Sequence, residues 1–298
     1  MATPTRMVPF GDGEVAVRDY GGQGAPVLLV HSLGMCAVNW DEVGPVLARS
    51  CRVFAIDLPG HGASTARMRT PEAVYECILT VVRALELPPT LLVGHDQGGL
   101  CMVEAVTAAP ELFTGGVAIG GTISRTRAEM EELCELAASD FFIGAMRTRF
   151  LFGARGHGEE AALGVIDHVV ANASFDWILQ DIDGLRRERE YSLRTTPDGS
   201  WVHAPDPEDV AMVGRFSPDS PLYPTQDRIP GFAVPVWILQ LTQGQDVQFA
   251  ERERALAARH DLLRLITLDS GQWPQYSQPQ QLAEILAAIA ADPTRAET

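Results

Sequence analysis

An α/β architecture with a mostly parallel central sheet is predicted by three observations. Short, nearly unbroken apolar runs recur along the chain. Longer patterns of helical period separate them, and one segment of different rhythm interrupts the series before it resumes. A strand that is apolar on both faces needs cover on both faces, and helices between successive parallel strands supply it.

Taken in order, Glu14–Tyr20 reads as a weak alternating strand and Pro26–His31 (PVLLVH) as a nearly continuous apolar one. Arg52–Leu58, Thr90–His95 and Gly116–Ile119 follow, and Val234–Leu241 and Leu262–Leu268 come near the end. Thr70–Leu87 is predicted as a helix with a stripe through Val74, Ile78, Val81 and Leu85. Gly98–Ala109 is predicted as a second helix, stopped by Pro110, and Pro279–Ala291 as the last. The rhythm breaks between residues 124 and 228. Helical patterns at Ala128–Ala138 and Glu159–Ala173, with several Phe and Trp, point to a mainly helical cap. The expected organisation is a core made of residues 1–123 and 229–298, with a cap at 124–228 between two strands.

Composition narrows the function classes. Hydrophobic residues are 46% and charged residues 21% of the chain, the balance of a globular protein rather than a disordered one. A net charge of −16 argues against nucleic acid or an anionic membrane as partner, since both call for a basic face. All 23 basic residues are Arg, which removes Schiff-base and Walker-lysine chemistry. The five cysteines form no CxxC pair or metal-type spacing, so they read as buried free thiols and no metal is expected. The start, MATPTRMVPFGDG, has no signal-peptide apolar stretch, and no run of about 18 apolar residues suggests a membrane span. A cytoplasmic protein that takes a small molecule is expected, with a homodimer left open.

The strongest local signal is VGHDQGG, Val93–Gly99. An apolar strand runs into G-x-D-x-G and a helix begins directly after it. That is the layout of a nucleophile elbow, a tight turn that pushes one side chain into the site. Asp96 is at the apex. The free N–H groups of the following helix favour a carboxylate or a developing oxyanion there. LLVHSLG (Leu28–Gly34) ends another strand in a turn, and DLPGHGAS (Asp57–Ser64) follows the next.

In these segments, in this order, the chain resembles the α/β-hydrolase fold family over nearly its whole length. An Asp at the apex is similar to the epoxide hydrolase and haloalkane dehalogenase branch; esterases, lipases and peptidases carry Ser or Cys there. The resemblance implies that Asp96 attacks an sp³ carbon and forms an ester. A His-activated water then hydrolyses it, and an acid orients the His. Backbone N–H groups of Leu33 and Gln97 would form the oxyanion hole. Asp246, in TQGQD just beyond the strand VPVWILQL, stands where the family keeps the orienting acid.

The family expects the histidine in a loop after the last strand. This chain has DSGQWPQYSQP there, and position 272 is glutamine. An amide has no titratable group near neutral pH and cannot act as the base. His31 and His95 flank the site from strand ends, and the other histidines lie farther away in the pattern. Three readings stay open. A substitution of a native histidine traps an intermediate; or the glutamine is native and Asp96 runs cofactor-free, non-hydrolytic chemistry such as cyclisation, isomerisation or elimination; or the protein only binds a small molecule.

Gln97 stands where haloalkane dehalogenases place a Trp, and it also breaks the Arg pair of fluoroacetate dehalogenase-like enzymes. Epoxide hydrolases use cap tyrosines to protonate the epoxide oxygen, which makes Tyr191 the first candidate and Tyr223 the second. Ser32, His95, Trp40, Trp177, Tyr191 and Trp273 are therefore the expected substrate contacts, and the aromatic cap implies an apolar or aromatic ligand. The Arg-only, Ala/Gly-rich composition is similar to that of high-GC bacteria, where such enzymes tailor secondary metabolites.

Overall fold

The structure, a computed structural model, describes residues 3–121, 123–172 and 182–294. Eleven strands occur among them: β1 (Thr5–Phe10), β2 (Gly13–Gly21), β3 (Pro26–Val30), β4 (Arg52–Ile56), β5 (Thr90–His95), β6 (Phe113–Ile119), β7 (Arg155–His157), β8 (Leu193–Thr195), β9 (Ser200–His203), β10 (Val236–Gln243) and β11 (Leu263–Gly271). Eight form one sheet in the order β1-β2-β4-β3-β5-β6-β10-β11. The β1–β2 and β2–β4 pairings are antiparallel, and every later pairing is parallel. This is the fold class expected, an α/β-hydrolase sheet flanked by helices.

The central strands read as apolar runs because both faces are covered. All five residues of β3 are buried. Alternate residues face two separate cores: Leu28 and Val30 meet the helix Ala73–Ala84 side, whereas Val27 and Leu29 meet Trp40 and Leu286. Each fully buried Leu or Val contributes about 1.5–3 kcal/mol. β1 was not expected. Its pattern is mostly exposed, and antiparallel pairing with β2 across the turn at Gly11 holds it, not an apolar run.

Between β6 and β10 the described chain holds the helices Arg127–Ala137, Asp140–Arg149, Glu159–Ala171, Ile182–Tyr191 and Pro207–Ala211. It also holds a small antiparallel sheet, β7-β9-β8, so the insertion is less purely helical than its sequence suggests. Strands of three or four residues are too short to declare themselves by alternation.

Polar contacts fasten this insertion to the core loops. Tyr191 Oη donates to Asp57 Oδ2 at 2.9 Å, and Arg189 Nη2 donates to the Gly34 carbonyl at 3.0 Å. Asn39 Nδ2 donates to Glu188 Oε1 at 2.9 Å, and Tyr276 Oη bonds the same oxygen. The five cysteines are free, four of them buried. No described helix is long and apolar enough to cross a membrane.

Candidate active site

In a parallel sheet the carboxyl ends of the strands are where a ligand fits. β5 ends at His95 and the helix Gln97–Ala108 starts one residue after Asp96. Asp96 has φ 51° and ψ −121°, a strained backbone for a residue with a Cβ. The turn is held by its own main chain: Asp96 N–H donates to Ile119 O, and Gly99 N–H donates to Asp96 O, both at 2.8 Å. Glycine is required beside it. A Cβ on Gly94 would stand 2.0 Å from Gly98 O, and one on Gly121 would stand 2.1 Å from Asp96 O.

The Asp96 side chain opens onto a cavity of about 460 Å³. Ser32, Leu33, Gln97 and Trp273 border the cavity with it. Most of the remaining wall is apolar and comes from the insertion, including Met130, Leu133, Phe142, Phe150, Phe152 and Phe216. Leu136 and Phe141, 50% and 79% exposed, stand at its rim.

Ser32 Oγ lies 2.7 Å from Asp96 Oδ2 and 3.0 Å from Gln97 Oε1. A hydroxyl has one proton, and the carboxylate is the stronger acceptor. Burial pushes the Asp96 carboxyl up to about 6; the Ser32 bond opposes that, the nearby Asp246 charge adds to it, and the Gln97 backbone N–H opposes it. A carboxyl that titrates near neutral pH can both give and take a proton under ordinary conditions.

Gln272 is built into the wall behind the site. It is buried, and its carboxamide ties two loops together: Nε2 donates to Gly120 O and Oε1 accepts from Gln245 N–H, both at 2.9 Å. Its side chain does not border the cavity; Gln245 and Trp273 on either side of it do. The expected relay from Asp246 to position 272 is not formed. Asp246 Oδ1 instead accepts from Arg125 Nη2 at 2.7 Å, a cation supplied from just before the helix Arg127–Ala137.

Among the described residues no histidine borders the cavity. His31 accepts the Leu58 N–H at Nε2 and donates from Nδ1 to Ser32 O, which leaves it neutral with burial holding it down at about 4. His61 Nε2 accepts the Gly34 N–H, and burial keeps the ring far below its usual value. These rings shape the turn around Ser32–Met35.

Three expected substrate contacts lie elsewhere. His95 is fully buried, with Nε2 against Gln272 O at 2.8 Å and its ring on Trp273. Trp40 is 0% exposed within the core against β3, because the apolar stretch AVNW folds inward as a short helical turn. Tyr191 bonds Asp57 and not the cavity, so it fastens the insertion. Tyr223 bonds Cys134 Sγ at 3.5 Å and packs on Phe216. Trp177 lies outside the described residues. Sequence reasoning missed Glu104, a buried acid in the cavity wall. Its signal was a lone carboxylate in the apolar helical run CMVEAV, in phase with Gln97.

The model of the α/β-hydrolase family matches residues 27–285. The chain belongs to the α/β-hydrolase family. It is 31% identical over 122 residues to (E)-2-((N-methylformamido)methylene)succinate hydrolase of Acinetobacter baylyi, a match that covers 39% of this chain and 45% of that protein. It is 24% identical over 289 residues to the esterase Rv0045c of Mycobacterium tuberculosis, covering 93% of this chain and 86% of that one. Among solved structures, E-2-(acetamidomethylene)succinate hydrolase superposes with a TM-score of 0.72 at 18% identity, over 96% of this chain and 98% of that one. The superposition carries the fold, and the sequence match to the Acinetobacter protein spans less than half of that protein's length.

Proposed function

We propose that this member of the α/β-hydrolase family acts on an apolar small molecule by proton transfer through Asp96, without a hydrolytic second step. The observation that carries this reading is at Gln272: both polar atoms of its side chain are bonded to loop backbone, and among the described residues no imidazole borders the cavity. Hydrolysis of an ester on Asp96 needs a base to activate water. What the cavity offers instead is a carboxyl that titrates at about 6, with a serine hydroxyl on one oxygen and apolar walls around it. In such surroundings a carboxylate is a poorly solvated base, and its conjugate acid can return the proton to a second position of the same substrate. Isomerisation needs only that. In an elimination the C–H pair becomes the new π bond as the bond to the departing group breaks, and in a cyclisation it forms the ring bond, with the conjugate acid protonating the group that leaves or opens.

Kemp elimination of 5-nitrobenzisoxazole tests this directly, because it requires one base beside one apolar ring. The wild type is expected to accelerate it, with a rate that rises through about pH 6, and Asp96→Asn is expected to remove the acceleration. A rate equal to buffer for the wild type counts against the reading.

A second reading is favoured by the elbow itself: Asp96 attacks an epoxide or alkyl halide and the ester persists. Incubation with styrene oxide followed by intact-mass measurement would reveal a stable adduct mapping to Asp96. Gln272→His would then convert that adduct into turnover.

A further inference from the structure

The helix that starts after Asp96 lines the cavity with one stripe: Gln97, Leu100, Cys101 and Glu104. Positions i, i+3, i+4 and i+7 share a helix face, so the stripe is continuous. Seven residues from Gln97 to Glu104 separate its ends by roughly 10 Å along the axis. Glu104 is only 4% exposed, borders the cavity, and its Oε2 has no hydrogen-bond partner among the described residues. A buried polar atom without a partner costs about 1–3 kcal/mol, so its presence needs a reason. The cavity around it is walled by Val74, Met130, Leu133 and Phe216, with Cys101 and Cys134 nearby, and none of these supplies a strong acceptor or donor.

We propose that Glu104 is the recognition point for an uncharged oxygen, a carbonyl or hydroxyl, at the end of an apolar substrate remote from Asp96. The proposal rests on the reading that this cavity holds the substrate. Burial favours the neutral form of the acid, aided by the Glu72 charge. A neutral carboxylic acid both donates and accepts one hydrogen bond, which suits a ketone, an alcohol or an amide. A cationic amine is disfavoured, because an ion pair would have to be desolvated in an apolar wall. The ligand would be a rigid molecule of two or three rings, or a chain of similar length, with its reacting carbon at Asp96 and its oxygen at Glu104.

Binding of 4-phenylcyclohexanone and phenylcyclohexane, followed by Trp273 fluorescence or calorimetry, tests this. The wild type is expected to prefer the ketone by about tenfold, the worth of one hydrogen bond in a dry site. Glu104→Leu is expected to erase that preference while it binds the hydrocarbon at least as tightly. Its thermal midpoint should not fall, because the change removes a buried carboxyl whose Oε2 has no partner among the described residues. Glu104→Gln should keep part of the preference. Asp96→Asn should keep all of it while it loses the Kemp activity, which separates recognition from chemistry. Equal binding of the two ligands by the wild type, an unchanged preference in Glu104→Leu, or tighter binding of 4-phenylcyclohexylamine than of the ketone would each overturn the proposal.

Discussion

The Ser32 hydroxyl donates to Asp96 Oδ2 at 2.7 Å, across the mouth formed by the ends of β3 and β5. On its other side Asp96 feels the charge of Asp246, which is itself paired with Arg125. The two neighbours pull the Asp96 proton equilibrium in opposite directions. Ser32→Ala removes a donor to the charged form and should raise the midpoint above about 6. Asp246→Asn removes a repelling charge and should lower it, and Arg125, freed of its partner, would reinforce the change. Shifts of the order of one pH unit are expected, and ¹³C NMR titration of the aspartate carboxyls reads both. Shifts in the same direction would show that the two residues do not act on Asp96 as described.

Asp96 should cost the fold stability at neutral pH. Its folded value of about 6 lies above the 3.8 of an unperturbed aspartate, so between those two values the native state holds more protons than the unfolded one. Stability then falls as pH rises through that window and stays low above it. Asp96→Asn, which resembles the protonated acid in shape, should therefore stabilise the protein by about 3 kcal/mol at pH 7.5. The gain should vanish near pH 3.5. Urea denaturation of both forms across that range checks the sign.

Gln272→Ala should destabilise the protein by about 2–4 kcal/mol, measured by the same method. The change leaves the Gly120 carbonyl and the Gln245 N–H without the carboxamide that joins them, and opens a void beside Leu241 and Gly244. A loss below about 0.5 kcal/mol would show that the glutamine does not tie these loops together.

Much of this site was readable from local chemistry. The elbow declared itself because a strand, two glycines and a helix start are written in seven consecutive residues, Val93–Gly99. The parallel strands declared themselves because burial on both faces leaves no polar alternation. What could not be read were contacts made between distant segments. Trp40 and Tyr191 looked like site residues by position and residue type, yet β3's core claims one and Asp57 the other. Asp246 had the right place in the chain, but Arg125, 121 residues earlier, decides where its carboxylate bonds. Glu104 escaped notice because a glutamate in a helix ordinarily faces water. Only the insertion packed over it makes it a wall residue.

The turn around Asp96 is made by main-chain bonds and by glycines 94, 98 and 121, none of which involves the aspartate side chain. Position 96 is thus a socket whose shape is independent of what is plugged into it. A serine there would stand on the same backbone, beside the same helix start and the same Ser32. The step from carboxylate chemistry to acyl transfer is therefore short in sequence, because it leaves the architecture untouched. A scaffold of this kind can change reaction class by exchanging a very few side chains, while the sheet and its two cores carry on unaltered.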